Sequence, residues 1–285
     1  MAENTNKPKT IKIFLTDGSP TGIKIAEIGN RTIKGIIIPR NRLKSVKDRA
    51  EVYQPSVYFL IGQSEDTGGV KVYIGEAENL YKRLIAHDSK KEFWHTVLAF
   101  ISKDQNLTKA HVKFLESNCI EVLRKANRCQ IENISESSET TLPESDIAEM
   151  LEFIEDLQLL ASALGFSIFT DISENKIKSE DIYFCKGKGI EAKGSLVDEG
   201  FVVYKGSKAT TKEAKTIGDW LSGVRKDLID RNILVQETEE YYLFEKDYVF
   251  GSPSTAAGVI LGCRINGWLH WKSNKGKTLD ETIRK

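Results

Sequence analysis

The chain has 285 residues, 40% hydrophobic and 29% charged, which is enough apolar sequence for two cores of ordinary size and excludes an unfolded polyampholyte. Lys plus Arg and Asp plus Glu both number 41, yet residues 1–135 carry 22 basic against 15 acidic groups, residues 136–185 carry 2 against 12, and residues 186–285 carry 17 against 14. A polyanion would be drawn to the two ends and repelled by the middle, and no uncharged stretch approaches the roughly 18 residues that span a bilayer.

In chain order, MAENTNKPKT has no apolar run and does not predict a secretory signal. From Ile11 to Ile38, Ile, Phe and Thr alternate with turn signals at Asp17-Gly18 and Gly29-Asn30, which predicts short strands. A basic patch follows: Arg40, Arg42, Lys44, Lys47 and Arg49 form either a solvated helix face or a phosphate contact. The apolar runs Ser56–Gly62 and Val70–Gly75, separated by SEDTGG, predict an antiparallel hairpin. A helix is expected over Ala77–His87 with Leu80 and Leu84 on one side, then a strand over Phe93–Ser102, then a long helix capped by Thr108.

The acidic, proline-punctuated ENISESSETTLPESD (132–146) predicts a linker, followed by an amphipathic helix over about Ile147–Leu164 that closes at Gly165. A second domain is expected from Ile182 onward, with strands at Phe201–Tyr204 and Tyr241–Phe244 and helices around Ala214–Arg231 and Ser254–Leu261. The predicted organisation is therefore α+β. It comprises a domain over 1–135 with an N-terminal β extension on a short sheet flanked by helices, a linker and helix over 136–181, and a small α+β domain over 182–285. Cys119, Cys129, Cys185 and Cys263 are scattered, without a zinc or disulfide pattern, as expected for a reduced, cytoplasmic protein. The GIEAKGS stretch (189–195) lacks the lysine of a phosphate loop, so no nucleotide cofactor is expected.

Arg83 and His87, four residues apart, share one face of the helix that Tyr73's strand feeds. Glu116 falls inside the apolar stripe of Val112, Leu115, Cys119, Ile120 and Leu123. An ionised carboxylate there has to lie at the edge of the core, pair with a cation such as an arginine, or hold a metal ion.

Ser56-Val57-Tyr58 and Tyr73-Ile74-Gly75, then Arg83 ten residues beyond the second tyrosine, His87 and the helical Glu116, resemble the GIY-YIG nuclease superfamily over about residues 10–135. The stretches YIGEAENLYKRLIAH, FWHTVLAFISKDQNLTKAH and VKFLES are similar to its bacterial branch that carries a further C-terminal domain. This chain departs in having Ser56 for a glycine, a longer inter-tyrosine loop, and Glu76 where repair-type members have a lysine. The family's supporting asparagine matches Asn127 or Asn133, with Asn133 preferred. His95 lies nearby in sequence and is expected to be structural.

The resemblance implies a metal-dependent DNA endonuclease in which Glu116 holds one Mg²⁺ or Mn²⁺ ion and Arg83 grips the phosphate. A tyrosine, Tyr58 foremost, would take the proton of the attacking water, with Tyr73 and His87 positioning groups or relaying protons. The alternative is a catalytically inactive DNA-binding protein that retains the nuclease fold. Residues from GFVVYKGSKA to DYVFGSPSTAAGVILGCRINGWLHWK resemble an uncharacterised C-terminal domain family and modules associated with restriction enzymes and adenine methylases, which implies a DNA-binding accessory role. Arg40, Arg42, Lys82, Trp268 and Trp271 are the candidate nucleic-acid contacts. Ser252-Pro253-Ser254 begins a helix, with capping or phosphate binding open to its hydroxyls.

Overall fold

The computed structural model describes residues 8–64, 69–133, 141–170, 182–197 and 200–284. The chain divides into two compact units, Met1–Thr170 and Asp171–Lys285, in a mixed α+β architecture. No helix among the described residues is long and apolar enough to cross a membrane.

The first unit is built on strands β1 (Ile11–Leu15), β2 (Lys24–Ile28), β3 (Ile33–Pro39), β4 (Ser56–Gln63), β5 (Val70–Ala77), β6 (Trp94–Ser102) and β7 (Gln130–Ile131). They form one seven-stranded sheet in the order β1-β2-β3-β6-β4-β5-β7. All pairings are antiparallel except that of β7 with β5. The N-terminal extension is thus the outer half of the main sheet, joined through β3 and β6. Helix α1 (Leu80–Asp88) covers one face; α2 (Lys109–Ala126) and α3 (Glu144–Ala163) cover the other. Covering both faces explains why SVYFLIG and VLAFIS read as continuous apolar runs rather than alternating ones: β4 is buried at every position but Gln63.

The helix boundaries follow from local chemistry. Asn79 caps α1 by accepting from the Lys82 amide, so the helix starts at Leu80 and Ala77 ends the strand. Thr108 caps α2 in a capping box whose return arm is the His111 ring, and Asn127 closes the helix in the left-handed conformation at φ 52. That cap is Asn127's place in the fold.

Helix α3 was expected beyond the first domain, with the linker. It belongs to the first unit, because Met150, Phe153, Ile154, Leu157, Leu160 and Ala161 lie in the same core as α2 and β5. Its buried Asp156 is matched by Lys9 at 3.0 Å and Arg31 at 3.2 Å. Residues 134–140 of the predicted linker lie outside the described residues, and its last three, Glu144 to Asp146, form the first turn of α3.

The second unit has its own core. Strands β8 (Tyr183–Gly187), β9 (Ile190–Val197) and β10 (Gly200–Val203) form a five-stranded sheet with β14 (Tyr248–Phe250) and β15 (Lys272–Ser273); β11 (Lys208–Thr210), β12 (Leu234–Gln236) and β13 (Tyr241–Phe244) form a three-stranded one. Helices α4 (Asp219–Asp230) and α5 (Pro253–Leu261) pack against them, and short α6 (Gly267–His270) and α7 (Leu279–Ile283) end the chain. Gly267 has to be glycine, since a Cβ there would lie 2.1 Å from the Pro253 carbonyl oxygen.

Candidate active site

The hairpin register decides which side chains meet. Tyr58 pairs with Gly75 and Leu60 with Tyr73, so the two tyrosines sit diagonally on the same face, ring centroids 6.3 Å apart. The missing side chain of Gly75 makes this possible: a Cβ there would stand 2.4 Å from the Tyr58 hydroxyl. Helix α1 brings Leu80, Leu84 and His87 down on that face at i, i+4 and i+7. The His87 ring lies edge-on to Tyr73 at 4.9 Å and 5.8 Å from Tyr58.

One hydrogen-bonded chain runs through the cluster. Arg83 Nε donates to the Tyr58 hydroxyl at 3.3 Å, and that hydroxyl lies 2.7 Å from His87 Nε2. Tyr58 Oη accepts from Arg83, and the imidazole tautomer sets which of Tyr58 and His87 donates in the second bond. Burial, with the charges of Arg83, Lys91 and Lys90, pushes His87 down to about 4, so the ring is neutral at pH 7. Burial, with the charges of Tyr73 and Glu116, raises Tyr58 well above the ordinary tyrosine value, against the pull of Arg83. The Tyr58 hydrogen bond and charge raise the pKa of Arg83, and Tyr73 adds to that.

Tyr58 is the enclosed phenol of the pair. Its side chain is fully buried, its phenolate is disfavoured, and its hydroxyl is bonded on both sides. Tyr73 is the half-buried phenol of the pair.

Glu116 lies half-buried on α2, on the other side of the sheet. Glu76 continues the row of Val72 and Ile74, the β5 residues that face α2. Burial and the Glu76 charge push Glu116 up to about 7, opposed by Arg83 and Lys113. Neither carboxylate is ion-paired among the described residues. Arg83 on the α1 face thus acts electrostatically on Glu116 on the α2 face, and β7 stops pairing with β5 at Val72. There Asn133 replaces the missing strand: its Oδ1 accepts from the Ile74 amide at 3.0 Å and its Nδ2 donates to the Ile74 carbonyl at 2.7 Å.

Two residues went unnoticed in the sequence. Lys91 sits with its ammonium 4.5 Å from the Tyr73 ring centroid, and its position four beyond His87 extends the Arg83–His87 stripe. Glu76 was noted only as a departure, although its alternation with Ile74 points it toward α2.

The nucleic-acid candidates separate clearly. Arg42 and Lys82 are exposed. Arg40 is a clamp: it bonds Asp88 at 2.9 Å, donates to the Glu92, Trp94 and Asp88 carbonyls, and stacks on Trp94 at 4.5 Å. His95 is exposed and bonded to Thr96, outside the cluster.

In the second unit Trp271 cannot stack on a base, being fully buried against Phe201 at 4.4 Å with its Nε1 donating to Pro253. Trp268 is half-buried with the Arg284 guanidinium 3.5 Å over its ring. Ser252 caps Thr255 and Ser254 accepts from the Gly267 amide, so both hydroxyls are used in capping. The aromatic that is exposed is Trp220, at 61%, beside a cavity of about 340 Å³ that Arg264 and Asp219 also line.

Residues 183–283 match the family described as a domain of unknown function, DUF4357. The chain matches no curated protein sequence. It matches no solved structure.

Proposed function

We propose that the first unit is a metal-dependent DNA endonuclease of the GIY-YIG type, with the second unit as an accessory DNA-binding domain. The observation that carries the reading is the position of Arg83, bonded to the buried Tyr58–His87 pair, interacting with Tyr73, and within electrostatic range of Glu116.

The donor set fits a hard divalent cation. Glu116 and Glu76 are two half-buried carboxylates, burial and the Glu76 charge raising the cost of ionising Glu116, and carboxylate oxygens suit Mg²⁺ or Mn²⁺. Among the described residues no group of three or more His, Cys, Asp or Glu side chains is placed to hold a metal. When bound, a divalent ion supplies Lewis-acid stabilisation of the phosphate oxygens.

The chain's own residues do the rest. Arg83 offers its remaining N–H donors to the phosphate, where charge develops in the transition state. Tyr58 and His87 hold Arg83 in place through a neutral, fully bonded pair, so the guanidinium enters the reaction already oriented. Tyr73, half-exposed beside Arg83, takes the proton of the attacking water.

Purified protein should cut DNA in Mg²⁺ or Mn²⁺. Glu116→Ala should abolish cutting with the fold intact by circular dichroism. Equal cutting by that variant would end the metal-ligand assignment.

A further inference from the structure

Beside Tyr73, on the flank away from the two carboxylates, a small charged network carries more positive than negative groups. The Glu132 carboxylate lies 2.6 Å from Lys71 and 3.7 Å from Lys91. One anion therefore answers two cations, and the shorter contact goes to Lys71. Lys71 further rests on the Phe93 ring at 5.1 Å, so it is held on both sides. Lys91 is the cation left with surplus charge, and its ammonium stands 4.5 Å from the Tyr73 ring centroid. Its place is fixed from below by the chain, because the Lys91 amide donates to the His87 carbonyl at 2.9 Å.

We propose that Lys91 is a further positioning residue of the site, which binds the nucleic-acid backbone phosphate next to the one being cut and so seats that one between Arg83 and Tyr73. The inference rests on the endonuclease reading for what is cut, and on the Lys71–Glu132–Lys91 geometry for which residue binds. An ammonium is a compact point charge with three rotatable donors, suited to a neighbouring phosphate that has to be attracted but needs no bidentate recognition. Lying on the ring face, it contacts the Tyr73 ring while its remaining donors point away.

The test measures duplex DNA affinity against salt concentration in EDTA, alongside cleavage in Mg²⁺, for the full chain and its Lys91→Met and Lys91→Arg variants. A phosphate contact predicts that Lys91→Met lowers the slope of log affinity against log salt by about one unit, whatever the DNA sequence, and that Lys91→Arg restores it. In cleavage, Lys91→Met should raise KM more than it lowers kcat, and arginine should recover most of the loss. An unchanged salt slope in Lys91→Met would overturn the proposal even if cleavage fell, since that is what a purely structural prop for Tyr73 would give. If the wild-type chain binds DNA with a Lys91-dependent slope but never cuts, the phosphate contact stands and the endonuclease reading falls. If it neither binds nor cuts, both fall.

Discussion

Tyr58 and Tyr73 belong to the same hairpin face, yet their surroundings assign them different work. Removing the Tyr58 hydroxyl strands a buried imidazole nitrogen and frees Arg83 Nε. Tyr58→Phe should therefore cost about 1–3 kcal/mol in urea unfolding as well as slowing cleavage. Tyr73→Phe should leave stability unchanged and lower kcat by about 10²–10⁴-fold, the usual contribution of a positioned proton acceptor. The reverse pattern would return the proton-accepting role to Tyr58.

Glu116 gives a pH signature. Its carboxyl is pushed up to about 7 from an ordinary 4.5, so between those values the folded state holds more protons than the unfolded one. Stability is then lost as pH rises through that window, and the penalty is complete above it. His87, pushed down to about 4 from 6.5, acts oppositely: the unfolded chain binds the extra proton there, and stability is lost as pH falls. Glu116→Gln, unfolded in EDTA, should match the wild type near pH 4 and exceed it by about 1 kcal/mol at pH 8, a value reduced for partial exposure. It should also unmask the His87 slope. A variant no more stable than wild type at pH 8 would show that the carboxylate is already neutralised by the chain.

At the level of elements, the site depends on the way β5 ends. The strand loses its β7 partner after Val72, and Asn133 satisfies both Ile74 backbone groups in its place. Asn133→Ala should cost about 1 kcal/mol or more and speed amide exchange at Ile74. Asn133→Asp should be worse, because a second acceptor would face the Ile74 carbonyl. Protection of that amide left unchanged in either variant would contradict the clamp.

Much of this framework was readable beforehand. The hairpin, α1 and α2 announce themselves through apolar runs, the Asn79 and Thr108 caps and the i, i+4 placement of Arg83 and His87, all of which are local signals. What was hidden depends on packing between distant segments. Whether α3 joins the first core depends on what its apolar stripe meets, and an acidic neighbourhood does not reveal that. The burial of Trp271 and the clamping of Arg40 on Trp94 depend on partners 70 and 54 residues away. An exposed Arg or Trp and a buried one look alike in one dimension. The burial of Tyr58 is hidden for the same reason: the motif gives a tyrosine, and only the second covering layer encloses it.

At the scale of the whole molecule, the two units have separate cores, one around β4, β6, α2 and α3 and one around Phe201, Trp271 and α5. Residues 182–285 should fold alone with a cooperative thermal transition. Trp271→Ala should destabilise that transition by about 3–5 kcal/mol. In the intact chain the same change should leave the melting of the first unit in place, whereas loss of both transitions together would show a single cooperative body. The chemistry is assigned to the first unit, and the most direct measurement of it is the nicking of a supercoiled plasmid by wild-type and Arg83→Ala proteins, each confirmed folded, in Mg²⁺ and in EDTA. The account predicts nicks from the wild type in Mg²⁺ alone and none from Arg83→Ala; nicking that survives EDTA or the loss of Arg83, or a wild type that never nicks, would contradict it.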